Sequence, residues 1–506
     1  MKSEAAAASS KRAPADIEDV IEAMGLGWGQ MLGIVLASGT FLLEGLEVVM
    51  VCLLQPLMVE EVRNFEMGFV TMLTSLGAVL GVLIGSALAE ACGRPAVILW
   101  SYILASVAIG ITTLVTTATS VAILLLCLGL SMGLAQPSAL ALMHECSPRP
   151  WRFFGLTFAM LLYGVGALLA VSAVTFYETR LLSDEGFGYW RTLLWYSTFT
   201  SIFFLAGSFF FLWESPSFLA KKGQMALAKD TLAFFQFSAM TAEDHEQSLE
   251  NIDNLVSPRA TALGWQGIVQ AKDALLHYLS SFQVLIFCSF TVSFAAYSCA
   301  YCSLVIVDTD AEAEPWRGTA QAQHAYWHRL FIYALLLGAS CVVIFLVLSN
   351  FCLRLWQHKS TLCMCLAVTM ALSVALAGLG AAQPRSAAVS TAWGDTARGV
   401  AFVVSLAASI TPAVGLLLVL CTALELSPLE GRTAVAALCL ALSRLGTVAA
   451  MFVNRWLLTT SDLHWIALLL SIALCCTSWL AVRGIAAADC PDALPQPSKA
   501  LSSGRL

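Results

Sequence analysis

Charge is what this sequence has least of. Asp, Glu, Lys and Arg make up 12% of its 506 residues, while 59% are hydrophobic; a soluble globular chain is about 25% charged. With a mean hydropathy of +0.80, the chain reads as an integral membrane protein whose surroundings are the lipid bilayer. Other absences narrow the field. No P-loop, no nucleophile elbow and no paired metal-ligand cluster occurs, so no enzyme activity, ATP-driven pumping, metal, cofactor or nucleic-acid partner is expected. Cysteine is not scarce, at 16, but most lie within apolar blocks. Cys299 and Cys302 have ligand spacing without a His or a second pair, and read as packing residues. No basic segment leads into a short apolar core near the start, so no signal peptide is expected. No Asn-x-Ser/Thr sequon occurs to report orientation.

What is there is a series of long apolar runs. A spanning helix takes about 20 such residues, and that window predicts twelve. They lie near 31–58, 67–89, 95–116, 119–143, 153–176 and 191–213, then 280–307, 329–349, 361–381, 398–424, 433–456 and 463–483. The expected organisation is a tail (1–30), a six-helix bundle (31–213), a polar central loop (214–279), a second six-helix bundle (280–483) and a second tail (484–506). With the first tail inside, all eight lysines fall on the inner face, which predicts that both termini and the central loop are cytoplasmic.

The two halves echo each other. Glu145-Cys-Ser-Pro-Arg-Pro-Trp-Arg152 ends the fourth span, and Glu425-Leu-Ser-Pro-Leu-Glu-Gly-Arg432 ends the tenth. Both read E-x-S-P-x-x-x-R. An offset of six spans implies a parallel repeat, with a solute site between the halves near mid-membrane. A carboxylate at the C-terminal end of a helix opposes the helix dipole and calls for a cation. Arg152 and Arg432 are the local candidates, either as plain interfacial ion pairs or as contacts that break when the halves rock.

These turns resemble those of the major facilitator superfamily, and the other matches are equally local. Gly85-Ser-Ala-Leu-Ala-Glu90-Ala-Cys-Gly93-Arg94 resembles its G-x-L-x-D-R-x-G-R-R loop. Trp190-Arg191, then Glu214-Ser-Pro-Ser-Phe-Leu219 and Gly223, resembles its G-W-R … P-E-S-P-R-W-L … G stretch, and Ser443-Arg444-Leu445-Gly446 its S-R-I-G. Ile17-Glu-Asp-Val-Ile-Glu-Ala-Met-Gly-Leu-Gly-Trp-Gly-Gln30 resembles the lead of the synaptic-vesicle-two-related (SVOP-like) transporters and the niacin permeases. Glu44-Gly-Leu-Glu47 stands where that group has D-A-M-E. The Q-Q-x-S-G and P-E-T-K-G hallmarks of sugar porters are not present, so the SVOP-like branch is the favoured resemblance. It implies twelve helices in two six-helix bundles and proton-linked transport of an organic ion or a nicotinate-like solute by a monomer. Alternatives are a sugar-porter-type hexose carrier and a transporter-like sensor or vesicle protein that no longer transports. The resemblance assigns Gly85, Glu90, Gly93, Arg94, Glu145, Arg152, Glu214, Glu425 and Arg432 to motif and gate positions. It departs from the pattern at Glu90, Ala91 and Pro95, and in span four, where Leu124–Leu128 holds no arginine. That arginine often serves coupling or substrate binding in the superfamily.

Between Ala23 and Val59 the charged residues are Glu44 and Glu47. Each costs about 2.5–3.5 kcal/mol at mid-membrane, a cost any leucine would remove. Three residues apart on a helix, they point to nearly the same face, and Gly45 between them admits a close neighbour. Two such carboxyls suit one that carries a proton and one that orients solute; glutamates hydrogen-bonded to neighbouring helices are the plainer reading. Arg444 is placed to meet an acid, an anionic solute, Glu425 or a backbone carbonyl. Tyr163, Trp195, Tyr196, Tyr297, Tyr301 and Tyr333 are candidate cavity aromatics. Gln136 and Pro137, with Gly129 and Gly133 nearby, suit a closely packed, bendable helix.

Overall fold

The computed structural model describes residues 17–61, 69–176, 189–237, 282–307, 358–382, 393–427, 431–460 and 464–488, with scattered positions in 332–343. All regular structure among them is helical. A short helix, α1 (Ile17–Met24), precedes α2 (Trp28–Glu61), α3 (Phe69–Cys92), α4 (Arg94–Thr112) and α5 (Ala118–Cys146). After one 3-10 turn (Arg149–Trp151) come α6 (Arg152–Phe176) and α7 (Tyr189–Phe211). The short α8 (Pro216–Lys221) and α9 (Met225–Phe237) belong to the expected polar loop. Then follow α10 (Gln283–Val307), α11 (His358–Ala382), α12 (Trp393–Leu426), α13 (Arg432–Thr460) and α14 (His464–Ala488). Eleven of the twelve expected spans coincide with α2–α7 and α10–α14; the eighth lies almost wholly outside the described residues, as do most of the central loop and both tails.

Boundaries follow local chemistry. Ser215 caps α8 by accepting the Phe218 amide, with Pro216 at the first helical position where its missing N–H is not needed. Gly93 breaks α3 from α4 at φ 101°, a backbone conformation that glycine adopts without strain.

The helices form two packed groups. In the first, α2 packs on α5, α6 and α7, α3 on α5, and α4 on α5 and α7. In the second, α10 packs on α12, α13 and α14, and α11 on α12 and α14. The groups meet where α13 crosses α3 and α5, and where α12 touches α6. In lipid, helices associate through close packing rather than by escaping water, which favours small residues at contacts. Gly77, Gly81 and Gly85 of α3 abut the carbonyls of Leu126, Leu130 and Leu134, while Gly129 and Gly133 of α5 abut those of Thr74 and Ala78. A Cβ at any of the five would overlap backbone. Gly45 likewise abuts the Tyr163 carbonyl of α6. The outer face of α7 carries exposed aromatics, with Phe199, Phe203, Phe209 and Phe210 each about two-thirds or more exposed; this is the composition of a lipid-facing surface. Trp195 and Tyr196 lie on the same helix at 41% and 42% exposure, so they face outward and not into a cavity.

Candidate functional site

Two polar clusters stand out in this apolar frame. The first lies at mid-depth on the seam between the groups. Glu44, halfway along α2, ion-pairs through Oε1 with Arg444 Nη2 of α13. Its Oε2 accepts from Gln136 Nε2 of α5 at 2.5 Å, and Gln136 Oε1 in turn accepts from Arg444 Nη2 at 3.3 Å. The three side chains close a ring across the seam. Glu44 is 4% exposed at the side chain and Arg444 24%, so the arginine keeps one edge open. Pairing a mid-membrane charge is what makes it tolerable. Arg444 thus meets an acid, and that acid is Glu44.

Glu47 behaves differently. It is 2% exposed, and neither carboxylate oxygen has a hydrogen-bond partner among the described residues. It opens on a narrow crevice bounded by Cys52, Thr71, Thr74 and Met132, between α2, α3 and α5. The two glutamates therefore divide: Glu44 reaches into the seam and Glu47 towards α3. Gly45 admits helix α6 rather than a ligand. Tyr163 and Tyr297 are half-buried on α6 and α10; the side chain of Tyr301 and all of Tyr333 lie outside the described residues.

The second cluster lies at the end of the bundle that carries α1, α8 and α9. Arg94, fully buried, bonds Glu145 at 3.0 Å and Glu90 at 3.3 Å through Nη2, and lies 3.8 Å over the Phe218 ring. Glu90 also meets Lys221 at 3.2 Å and accepts from Thr433 Oγ1 of α13 at 2.8 Å. Glu214 accepts the backbone amides of Arg94 and Ser215, both at 3.0 Å. A Cβ on Gly93 would strike the Glu214 carboxylate. Burial pushes the Glu214 carboxyl up to about 7, against the lowering pull of Arg94. Glu90, Gly93, Arg94, Glu145 and Glu214, drawn from separate motifs in the sequence, thus lie in one cluster, while Gly85 packs on Leu134 of α5.

The expected local pairs at the two echoed turns do not form. Glu145 takes Arg94 and not Arg152. Arg152 and Arg432 both turn to Glu18 of α1, at 3.4 and 2.9 Å. Glu425 is exposed beside Cys421, whose sulfur lies 3.6 Å from its Oε1, and is not the partner of Arg432. The reason is geometric: each arginine opens the helix after its turn, away from the glutamate that closes the helix before it, and meets Glu18 of α1 instead. Burial tends to raise the Glu18 carboxyl, but Arg432 and Arg152 together hold it below its ordinary value. Glu18 had no role in the sequence beyond its place in a recognisable lead; its partners Arg152 and Arg432 are distant in the chain.

The sequence matches the sugar (and other) transporter family over residues 58–482, and the chain belongs to that family. Among curated protein sequences no relative matches. Solved structures of major facilitator transporters share the fold. One is the proton:xylose symporter XylE bound to 6-bromo-6-deoxy-D-glucose, at TM-score 0.65 and 16% identity over 90% of this chain and 95% of that one. Others are FucP in the outward conformation (TM-score 0.56, 13% identity, 90% and 99% covered) and the human organic anion transporter MFSD10 (0.57, 13%, 90% and 99%). The fold is that of the major facilitator superfamily, and the chain is a multi-pass membrane transporter.

Proposed function

We propose that this transporter moves a small organic solute by alternating access and draws on protons to do so. The observation that carries the reading is the pair of mid-membrane carboxylates with opposite fates. Glu44 is held by Gln136 and by Arg444 from the other half, so a solute or proton that loosens it also loosens the seam. Glu47 is buried with no hydrogen-bond partner among the described residues, and an unpaired buried charge is so costly that a proton or a cation is needed to neutralise it. Arg444 offsets one carboxylate and leaves the other. This charge balance favours an organic cation or a proton-linked neutral solute, within the organic-ion class that the SVOP-like resemblance implies.

A sugar is the second reading, favoured by the family match and by the fold shared with the proton:xylose symporter. The lysine bias argues for a cytoplasmic position of α1, α8, α9 and the Arg94 cluster, the end at which Thr433 of α13 bonds Glu90 of α3. On that reading this bond, which crosses between the helix groups, supports a closed cytoplasmic face. Uptake into proteoliposomes under an imposed pH gradient, across organic cations, organic acids, nicotinate and sugars, tests both readings. Glu47→Gln is expected to abolish the dependence on the gradient. Unchanged, gradient-driven uptake by Glu47→Gln and Glu44→Gln would remove proton coupling through these residues. If no solute moves under any gradient, the reading of a transporter-like sensor gains.

A further inference from the structure

The lead helix α1 takes no part in the mid-membrane chemistry, yet it is firmly placed. Its apolar face, Ile17, Val20, Ile21 and Met24, is buried against Leu219 and Ala220 of α8 and Ala228 and Leu232 of α9. Gly25, at φ 71°, turns the chain out of α1, and Gln30 ties the following bend in place. Its Oε1 accepts the Gly27 amide at 2.7 Å, and its Nε2 donates to the Cys146 carbonyl at the end of α5 at 3.0 Å.

Docked this way, α1 presents Glu18 to both halves at once. One carboxylate oxygen takes Arg432 Nη2 at 2.9 Å, and the other takes Arg152 Nη2 at 3.4 Å. Glu22 adds Arg149 at 3.4 Å. Arg152 and Arg432 are the corresponding arginines of the two echoed turns, and both are largely buried, at 11% and 7% side-chain exposure. Two like charges converge on the seam, and a carboxylate from a third element joins them.

We propose that α1 is a clasp for this face of the transporter: Glu18 holds Arg152 of the first half and Arg432 of the second together, and undocking α1 releases the halves here. The clasp stands independently of which solute is carried, because it rests on the seam alone. It also gives the Ile17–Gln30 lead a mechanical use. Closure of this face becomes conditional on an element outside both bundles, so anything that peels α1 from α8 and α9 shifts the protein toward opening there.

Hydrogen–deuterium exchange on the full chain in lipid nanodiscs tests this without a substrate. Glu18→Gln keeps the shape and removes the charge; Ile21→Asp keeps Glu18 and spoils the apolar anchor. Both are expected to speed exchange at 147–157 and 431–437 about tenfold to a hundredfold, the range that loss of a charge-assisted hydrogen bond produces. Exchange within α10 should stay at the wild-type rate. Wild-type exchange at both turns in Glu18→Gln would overturn the clasp. So would acceleration spread evenly through α10, which would make Glu18 a support of the whole fold and not of this seam.

Discussion

Removing Arg444 should cost more than removing Glu44, and removing both should cost least. Breaking a buried ion pair from one side costs about 3–5 kcal/mol, because the other charge stays buried without compensation. In Arg444→Gln the stranded group is Glu44, 4% exposed, with the Gln136 amide left to soften the loss. We expect about 3 kcal/mol. In Glu44→Gln the stranded group is Arg444, 24% exposed, which can turn toward water; about 1–2 kcal/mol is expected. The double variant replaces a charged pair with neutral amides that still bond each other, and should lie within about 1 kcal/mol of wild type. The double-mutant cycle then gives a coupling of about 3–5 kcal/mol, read from denaturation in one detergent at one pH. A coupling below about 0.5 kcal/mol would mean that the two side chains do not meet in the protein, and the link across the seam would be lost.

Two further outcomes follow from the packing and the second cluster. Gly129→Ala should destabilise by about 1–3 kcal/mol, since its methyl would strike the Thr74 backbone. Gly110→Ala, where a Cβ meets open space, should be neutral or stabilise by up to about 1 kcal/mol; equal effects in thermal melts would refute the contact. The raised Glu214 carboxyl stays protonated in the folded state while an unfolded glutamate, at 4.5, ionises. The folded state therefore gains stability as pH falls from about 7 toward 4.5, and loses it as pH rises through that window. Glu214→Gln should flatten that slope. Glu18, held low, acts in the opposite sense and below 4.5, where acid removes its contribution.

Much of this was legible in the sequence, for a physical reason in each case. Hydropathy exposes the spans because the bilayer sets their length. Glu44 and Glu47 announce themselves because an acid in a span is costly. The residues around Arg94 could be gathered because their motifs resemble a known pattern, and the structure does bring them together. Partnership was harder to read. Helix periodicity places Glu44 and Glu47 on one face but cannot reveal that Arg444 waits 400 residues away. The echoed turns offered Glu145 and Arg152 as a local pair, but proximity in sequence lost to the packing of α4, which brings Arg94 to Glu145, and of α1, which brings Glu18 to Arg152. Gly45 was legible as a point of close approach; that the neighbour is the Tyr163 carbonyl was not.

The glycines between α3 and α5 have a mechanical consequence. Backbone lies against backbone at five successive points, with no side chain between them to change rotamer. Such a joint has no bearing surface on which to slide, so the two helices swing as one lever arm. The α13 seam adds to its apolar packing a set of long polar side chains, whose bonds can break and re-form where backbone contact cannot. Rearrangement between the halves is therefore expected at the α13 seam, where Glu44, Glu90 and Glu18 make their polar contacts, and not at the α3–α5 joint.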